Sequence, residues 1–386
     1  MRQPLIAVAL LVGAAGMCDA QSLKITESLE SLETSARQDS NDAAAQFNLA
    51  LGYWSKKRYN DAVPPLRRAI AIDPEFAPAY FALALVPIAN GSAFQKHEIP
   101  SIGYRFIYYT AVDSVWKEFD RQVRRAFDID PLVDTRIEVS VEWRGSFHDD
   151  FERGIHEYQD GKYEQAIQHL DSFIKDVEPH KDRHAQLESG LWYRALAELR
   201  LTRYDAAIRD LRRLVEAGQS QEAADTLIHN PFRINEYRYM LAFAQQRAGQ
   251  SNDAITLYQE VLGNDIGFYS AHLRLAEIYE SHRMWDQAIQ ERQRAIEASP
   301  ENPSLELYLG ETLANAGQWI EAEQPLQMAQ GANPHDSRIP YFLGRVEQQL
   351  GKAEAAKDAY RRFLAIAPSR YAAQLADARQ RLAALQ

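Results

Sequence analysis

Sulfur chemistry is all but missing from this chain. Among 386 residues there is one cysteine, Cys18, so no intrachain disulfide can form and no cysteine-based metal site can be assembled. Long apolar runs are missing too. The longest, Leu5 to Ala15, falls well short of the ~20 residues that a membrane-spanning helix needs. Positive charge is in deficit, 43 Lys and Arg against 54 Asp and Glu for a net charge of -11, which argues against a nucleic-acid backbone as partner. Catalytic signatures are absent as well. There is no Gly-rich phosphate loop, no His-Glu-x-x-His and no Gly-x-Ser-x-Gly, so no cofactor or catalytic residue is assigned.

The one suggestive cluster is His148, Glu152 and His156, four residues apart. At ~1.5 Å rise per residue the two imidazoles lie roughly 12 Å apart along a helix, too far for one ion, so the cluster reads as a solvated face rather than a metal site. His97 with Glu98, and His180 with His184, read the same way.

The amino terminus has the layout of an export leader. Arg2 precedes the apolar run, and small residues stand before Gln21, so residues 1–20 read as a signal peptide cleaved after Ala20. The alternative is lipid attachment at Cys18, against which the bulky Met17 beside it speaks. Both place the protein outside the cytoplasm, periplasmic or secreted in the first case and anchored in the outer membrane in the second. Membrane contact is expected only if Cys18 is lipidated.

The rest of the chain is built on a ruler. Ala254, Ala288, Ala322 and Ala356 stand 34 residues apart, and Ala295 and Ala329 are each followed five residues on by Pro300 and Pro334, with Pro368 continuing the series. Small residues at fixed points suit two antiparallel helices that approach closely, with Ala276, Gly310 and Gly344 set against Ala288, Ala322 and Ala356. Leu275, Leu309 and Leu343, with Tyr279 and Leu313 one turn on, would fill the seam to the next pair. Gly317 and Gly351 fall where the chain reverses and a positive φ is wanted.

This spacing resembles the tetratricopeptide repeat (TPR). The resemblance implies an all-α helix-turn-helix solenoid, a right-handed superhelix of about eight helix pairs with a half-repeat at the amino end and a capping helix at the carboxyl end. Residues 21–42 would form the N-terminal half-repeat. Residues 43–234 would hold degenerate repeats, with insertions near 91–113 and 134–146 and another about 222–234. Residues 235–370 would be four contiguous repeats, and 371–386 the cap. The aromatic insertion (Tyr104, Phe106, Ile107, Tyr108, Tyr109, Trp116) departs from the family pattern. The alternation of residues 136–143 suggests a short strand that pairs with 104–108.

In such proteins the first helix of each pair lines a concave groove that binds a protein or peptide. The groove residues implied here are Phe47, Leu51, Trp54, Phe81, Leu85, Phe151, Tyr158 and Trp192 on an apolar row, then Tyr239, Phe243, Arg247, Tyr341 and Arg345 on a polar one. So apolar a stripe is costly in water unless covered, either by the insertion folding back or by a partner. The expected role is a non-catalytic exported scaffold or adaptor, as in envelope assembly. The alternative is an enzyme or enzyme subunit with a site built from residues 91–146 against the groove, in which His97, Glu98, Tyr104, His148 and Asp149 would converge.

Overall fold

The computed structural model describes residues 28–101, 104–132, 146–180, 184–223 and 231–385. The expected leader and the 136–143 strand lie outside them. Among the described residues the chain forms eighteen α-helices and one β-hairpin. An opening helix α1 (Leu29–Gln38) precedes three packed pairs, α2 (Ala43–Ser55) with α3 (Tyr59–Ile72), α4 (Ala77–Ala89) with α5 (Asp113–Ile129), and α6 (Ser146–Gln159) with α7 (Tyr163–Val177), after which come α8 (His184–Arg200) and α9 (Tyr204–Ala223). The series continues with α10 (Pro231–Arg247) and α11 (Ser251–Asn264), α12 (Tyr269–Ser281) and α13 (Trp285–Ala298), α14 (Ser304–Ala316) and α15 (Trp319–Ala332), and α16 (Arg338–Gln349) and α17 (Ala353–Ile366). A short 3-10 turn, Ser369–Tyr371, leads into a closing helix α18 (Ala372–Ala384). The fold is the all-α paired-helix architecture expected from the ruler.

The ruler works through burial. Ala62, Ala166, Ala207, Ala254, Ala288, Ala322 and Ala356 are all fully buried, as a residue without side chain beyond Cβ must be where two helix backbones meet. Glycine on the first helix has a different counterpart from the one expected. A Cβ on Gly310 would stand 2.5 Å from Leu326 Cγ, and one on Gly344 would stand 2.7 Å from the Tyr360 ring. The residues opposite these glycines are thus Leu326 and Tyr360, one turn beyond Ala322 and Ala356. Antiparallel helices match residues at equal distances from the turn, and Gly310 lies seven residues before Gly317 while Ala322 lies only five beyond it.

Each reversal inside a pair uses one left-handed residue. Gly317 (φ 80°) and Gly351 (φ 74°) do so as expected, but Lys57, Thr202 and Arg283, with φ of 57–58°, occupy the same place elsewhere. The turn is stabilised by a backbone bond of the Schellman kind, Gln318 N–H to Leu313 C=O at 2.9 Å and Lys352 N–H to Glu347 C=O at 2.8 Å. Met284 N–H to Tyr279 C=O at 2.9 Å repeats it without glycine.

The chain divides into two compact units, Met1–Arg203 and Tyr204–Gln386. In the first, α1 covers α2 through Leu32 and Ala36, and Gln46 Nε2 donates to the Ala36 carbonyl at 3.0 Å. The second pair is split by β1 (Phe94–Ser101) and β2 (Tyr104–Ala111), antiparallel, with Phe94 opposite Ala111 and Ser101 opposite Tyr104. Residues 104–108 pair with 97–101 of the same insertion; the expected pairing with 136–143 lies outside the described residues. Backbone bonds from Ala93 N–H to Pro87 C=O and from Val112 N–H to Ala93 C=O tie the hairpin's base to α4. The inserted 222–234 segment is shorter than the sequence suggested, because α9 runs on to Ala223 and α10 begins at Pro231. In the second unit α18 closes the last pair, with Ala378 buried against Tyr360 and Phe363.

Candidate functional site: the first-helix faces

In the second unit, polar side chains link each first helix to the next. Arg274 on α12 donates through Nε to the Tyr239 hydroxyl of α10 at 3.2 Å, and Gln246 Nε2 of α10 donates to Glu277 of α12 at 3.3 Å. Thr312 of α14 hydrogen-bonds Glu280 of α12. Arg345 of α16 donates through Nη1 to Asn315 Oδ1 of α14 at 2.9 Å. The Tyr341 hydroxyl donates to Asp377 of α18 at 2.9 Å, and Arg381 Nε donates to the same carboxylate at 2.7 Å. The second helix joins in at Arg292, whose guanidinium meets Glu280 at 2.9 Å and Thr312 at 3.2 Å while lying over the Tyr308 ring.

This pairing sets the titration of the carboxylates. Burial pushes the Glu277 carboxyl up, but the Arg274 and Arg292 guanidiniums outweigh it and hold the group below its usual range. Asp377 follows the same pattern, with burial opposed and exceeded by hydrogen bonds from Arg381 and Tyr341. Burial, then the bond to Asp377, pushes the Tyr341 hydroxyl up.

In the first unit the corresponding seam is aromatic. Phe151 of α6 stacks on Phe173 at 4.8 Å and meets Tyr193 of α8 at 6.1 Å. Tyr158 also approaches Tyr193 at 6.1 Å, and its hydroxyl donates to the Leu132 carbonyl at 2.7 Å. Phe47 packs on Phe76 at 5.3 Å, and Trp54 on Tyr59 at 5.1 Å.

The structure separates the thirteen expected groove residues into two groups. Phe81, Phe151, Tyr158, Trp192 and Tyr239 are between 0% and 8% exposed and are part of the core. Phe81 packs with Ala77 and Ala126, so the second helix of its own split pair covers it. Phe47, Leu51, Trp54, Leu85, Phe243, Tyr341 and Arg345 are half-buried, and Arg247 is exposed. The apolar row is therefore not a continuous open stripe. A residue such as Phe81, Phe151, Trp192 or Tyr239 is swung into the seam, while the residue one turn on, as at Leu85, Ile155 and Phe243, stays at the surface.

Several participants escaped the periodicity argument because they lie one position along from the residues chosen. Arg274, Tyr308 and Phe342 occupy the same point in successive first helices, 34 residues apart, and that spacing was the available signal. Trp319 and Asp377 belong to other helices, and nothing in the sequence ties them to this face. Of the residues proposed to converge in an enzyme site, Asp149 is exposed and the side chains of the other four lie outside the described residues. Among the described residues no group of three or more metal-ligating side chains could hold an ion, and no helix is long and apolar enough to cross a membrane. Glu152 and His156 are exposed.

The tetratricopeptide repeat family model matches residues 20–75, 151–222 and, in two overlapping matches, 239–303 and 282–337, and a second model of the same repeat matches 338–370. Together they take in more than half of the chain. The chain belongs to the tetratricopeptide repeat family. No curated protein sequence matches this TPR protein significantly. Similar solved structures include the C-terminal part of a TPR repeat-containing protein from Cytophaga hutchinsonii, 16% identical, which spans 59% of this chain and 84% of its own at a TM-score of 0.46. A thermophilic TPR protein from Thermus thermophilus is 22% identical over 51% of this chain and 98% of its own, at a TM-score of 0.36. TPR repeats form a scaffold for protein–protein interaction and are usually non-catalytic.

Proposed function

We propose that this TPR protein is a non-catalytic, exported scaffold that holds a segment of a protein partner against its first-helix faces, in the periplasm or at the outer membrane and in a role such as envelope assembly. The observation that carries the proposal is the half-buried set Phe243, Tyr341, Phe342 and Arg345, where aromatic area and cationic charge remain at the surface of a polar face. Aromatic and Arg side chains of this kind are the usual anchors of protein interfaces. Export rests on the leader pattern of Arg2, the Leu5–Ala15 run and the small residues before Gln21. Lipidation at Cys18 is the variant of this reading in which the protein is membrane-anchored.

The test is affinity capture from envelope extract with the parent protein and with a Phe243→Ser/Arg345→Gln double variant, preceded by cell fractionation and amino-terminal sequencing. A partner retained by the parent and lost by the folded variant supports the reading. Equal retention by both, or a full-length chain in the cytoplasm, overturns it. Phe81 and Trp192 are unsuitable for this purpose, because their side chains are core.

A further inference from the structure

Four carboxylates on or beside the first-helix face of the second unit are met by arginines of the same chain. Glu277 is met by Arg274 at 2.7 Å, Glu280 by Arg292 at 2.9 Å, Asp336 by Arg338 at 2.7 Å and Asp377 by Arg381 at 2.7 Å. Arg345 is different. Its guanidinium lies over three rings, 5.9 Å from Trp319, 5.8 Å from Tyr341 and 5.4 Å from Phe342. Its one hydrogen bond among the described residues goes from Nη1 to a neutral amide, Asn315. No described carboxylate lies within ion-pair reach. Asp377 is already held by Arg381 and Tyr341.

A cation that is half-buried by aromatic rings has lost part of its hydration, and cation–π attraction replaces only some of it. The rings and Asn315 also fix the guanidinium plane, so the cost of ordering that side chain is met before any ligand arrives. What remains available is its Nε–Nη2 edge, a planar fork that matches the two oxygens of a carboxylate. We propose that Arg345 is the specificity-determining anchor of the partner site, and that the segment it takes carries an acidic side chain, Asp or Glu, seated on that edge. Charge complementarity decides for an acidic partner. Asn315 beside it adds an amide group, and Arg381, the cation of the adjoining network, is already engaged with Asp377 at 2.7 Å and Gln348 at 3.4 Å, which suits a single side-chain carboxylate within a continuing segment.

This inference rests on the reading that the first-helix faces take a partner segment, and the experiment separates the two. Three fluorescein-labelled synthetic helical peptides share one Ala/Leu pattern and an amidated carboxyl end, and carry Glu, Gln or Lys at their polar positions. Their affinities for the full chain are measured by anisotropy, together with a Glu peptide whose carboxyl end is free. The Glu peptide should bind about 10-fold more tightly than the Gln peptide, the scale of one charge-assisted hydrogen-bonded pair. Arg345→Gln should erase that difference, Arg345→Lys should keep part of it, and added salt should shrink it in the parent. If Arg345→Gln lowers the melting temperature, the salt series and the Lys variant decide. Glu and Gln peptides that bind equally would overturn the acidic anchor and leave the groove reading intact, as would a Glu preference that survives in Arg345→Gln. A gain seen only with the free carboxyl end would also overturn it. Failure of every peptide to bind would overturn both.

Discussion

Replacing Gly310 by Ala tests the closest approach in the second unit, where α14 rests on α15. The added Cβ would stand 2.5 Å from Leu326 Cγ, 2.7 Å from Cδ2 and 3.3 Å from the backbone nitrogen, against an optimum of ~3.5–4.0 Å for carbon pairs. Leu326 is fully buried, so it cannot swing into solvent, and the helices must part by about 1 Å to restore contact distance. Overpacking of this sort costs ~1–3 kcal/mol, here toward the upper end, whereas Ala gains ~1 kcal/mol over Gly as a helix former. The net expectation is a loss of about 1–2 kcal/mol. Gly331 supplies the control: it lies in α15, and a methyl added there would meet no heavy atom within 4 Å, so Gly331→Ala should stabilise by roughly 0.5 kcal/mol through propensity alone. Urea unfolding followed by circular dichroism reads both. A Gly310→Ala variant as stable as the parent, or stabilised alongside Gly331→Ala, would refute the close packing of α14 and α15.

Arg283→Gly should raise stability by about 0.5–1 kcal/mol in the same assay, because Arg283 holds φ 58° at the α12–α13 reversal and a left-handed backbone penalises any side chain; a loss would show that the turn is not strained. Arg292→Met should cost about 2–4 kcal/mol, since it strips Glu280 and Thr312 of a partner that is 8% exposed. A thermal shift no larger than that of a surface substitution would contradict the network. Trp192→Ser should lose ~3–5 kcal/mol and unfold the first unit before any binding change can be measured; a variant that melts like the parent would place Trp192 at the surface. Glu277 and Asp377 carry depressed carboxyl pKa values, so their stabilising share is present above the unfolded values and lost as pH falls through the folded ones. Melting temperature should therefore hold from neutral pH to about 5 and fall below about 4, with a shallower fall in Glu277→Gln. Parallel profiles for parent and variant would remove Glu277 from the account.

The helix pairs were legible because the alanines at 34-residue spacing mark contacts where nothing larger fits, and each one is indeed fully buried. The reversal at Gly317 was legible for the same kind of reason, since glycine advertises a positive φ. Lys57, Thr202 and Arg283 adopt that conformation without advertising it, because the Schellman-type bonds of the turn outweigh a local penalty of about 1 kcal/mol. Strand β1 was not legible, as Gln95, Lys96, His97, Glu98 and Pro100 show no alternating apolar face, and its register comes from adjacency to β2. In the candidate site, a helical period assigns residues to a broad face but not to depth within it. Tyr239 and Phe243 stand one turn apart on that face, yet Tyr239 is fully buried between Tyr258 and Phe268 while Phe243 reaches the surface. The three rings around Arg345 come from two helices, so no single-helix pattern announced them.

Site-specific photo-crosslinking in envelope extract tests the central claim that partners are held on the first-helix faces. A photoreactive amino acid replaces Phe243 or Phe342 on that face, or Ile320 or Met328 on α15, whose side chains are 75% and 51% exposed. The account predicts a common crosslinked partner from positions 243 and 342 and none from 320 and 328. Crosslinks confined to 320 and 328 would contradict it, because they would place the interaction on the second helices.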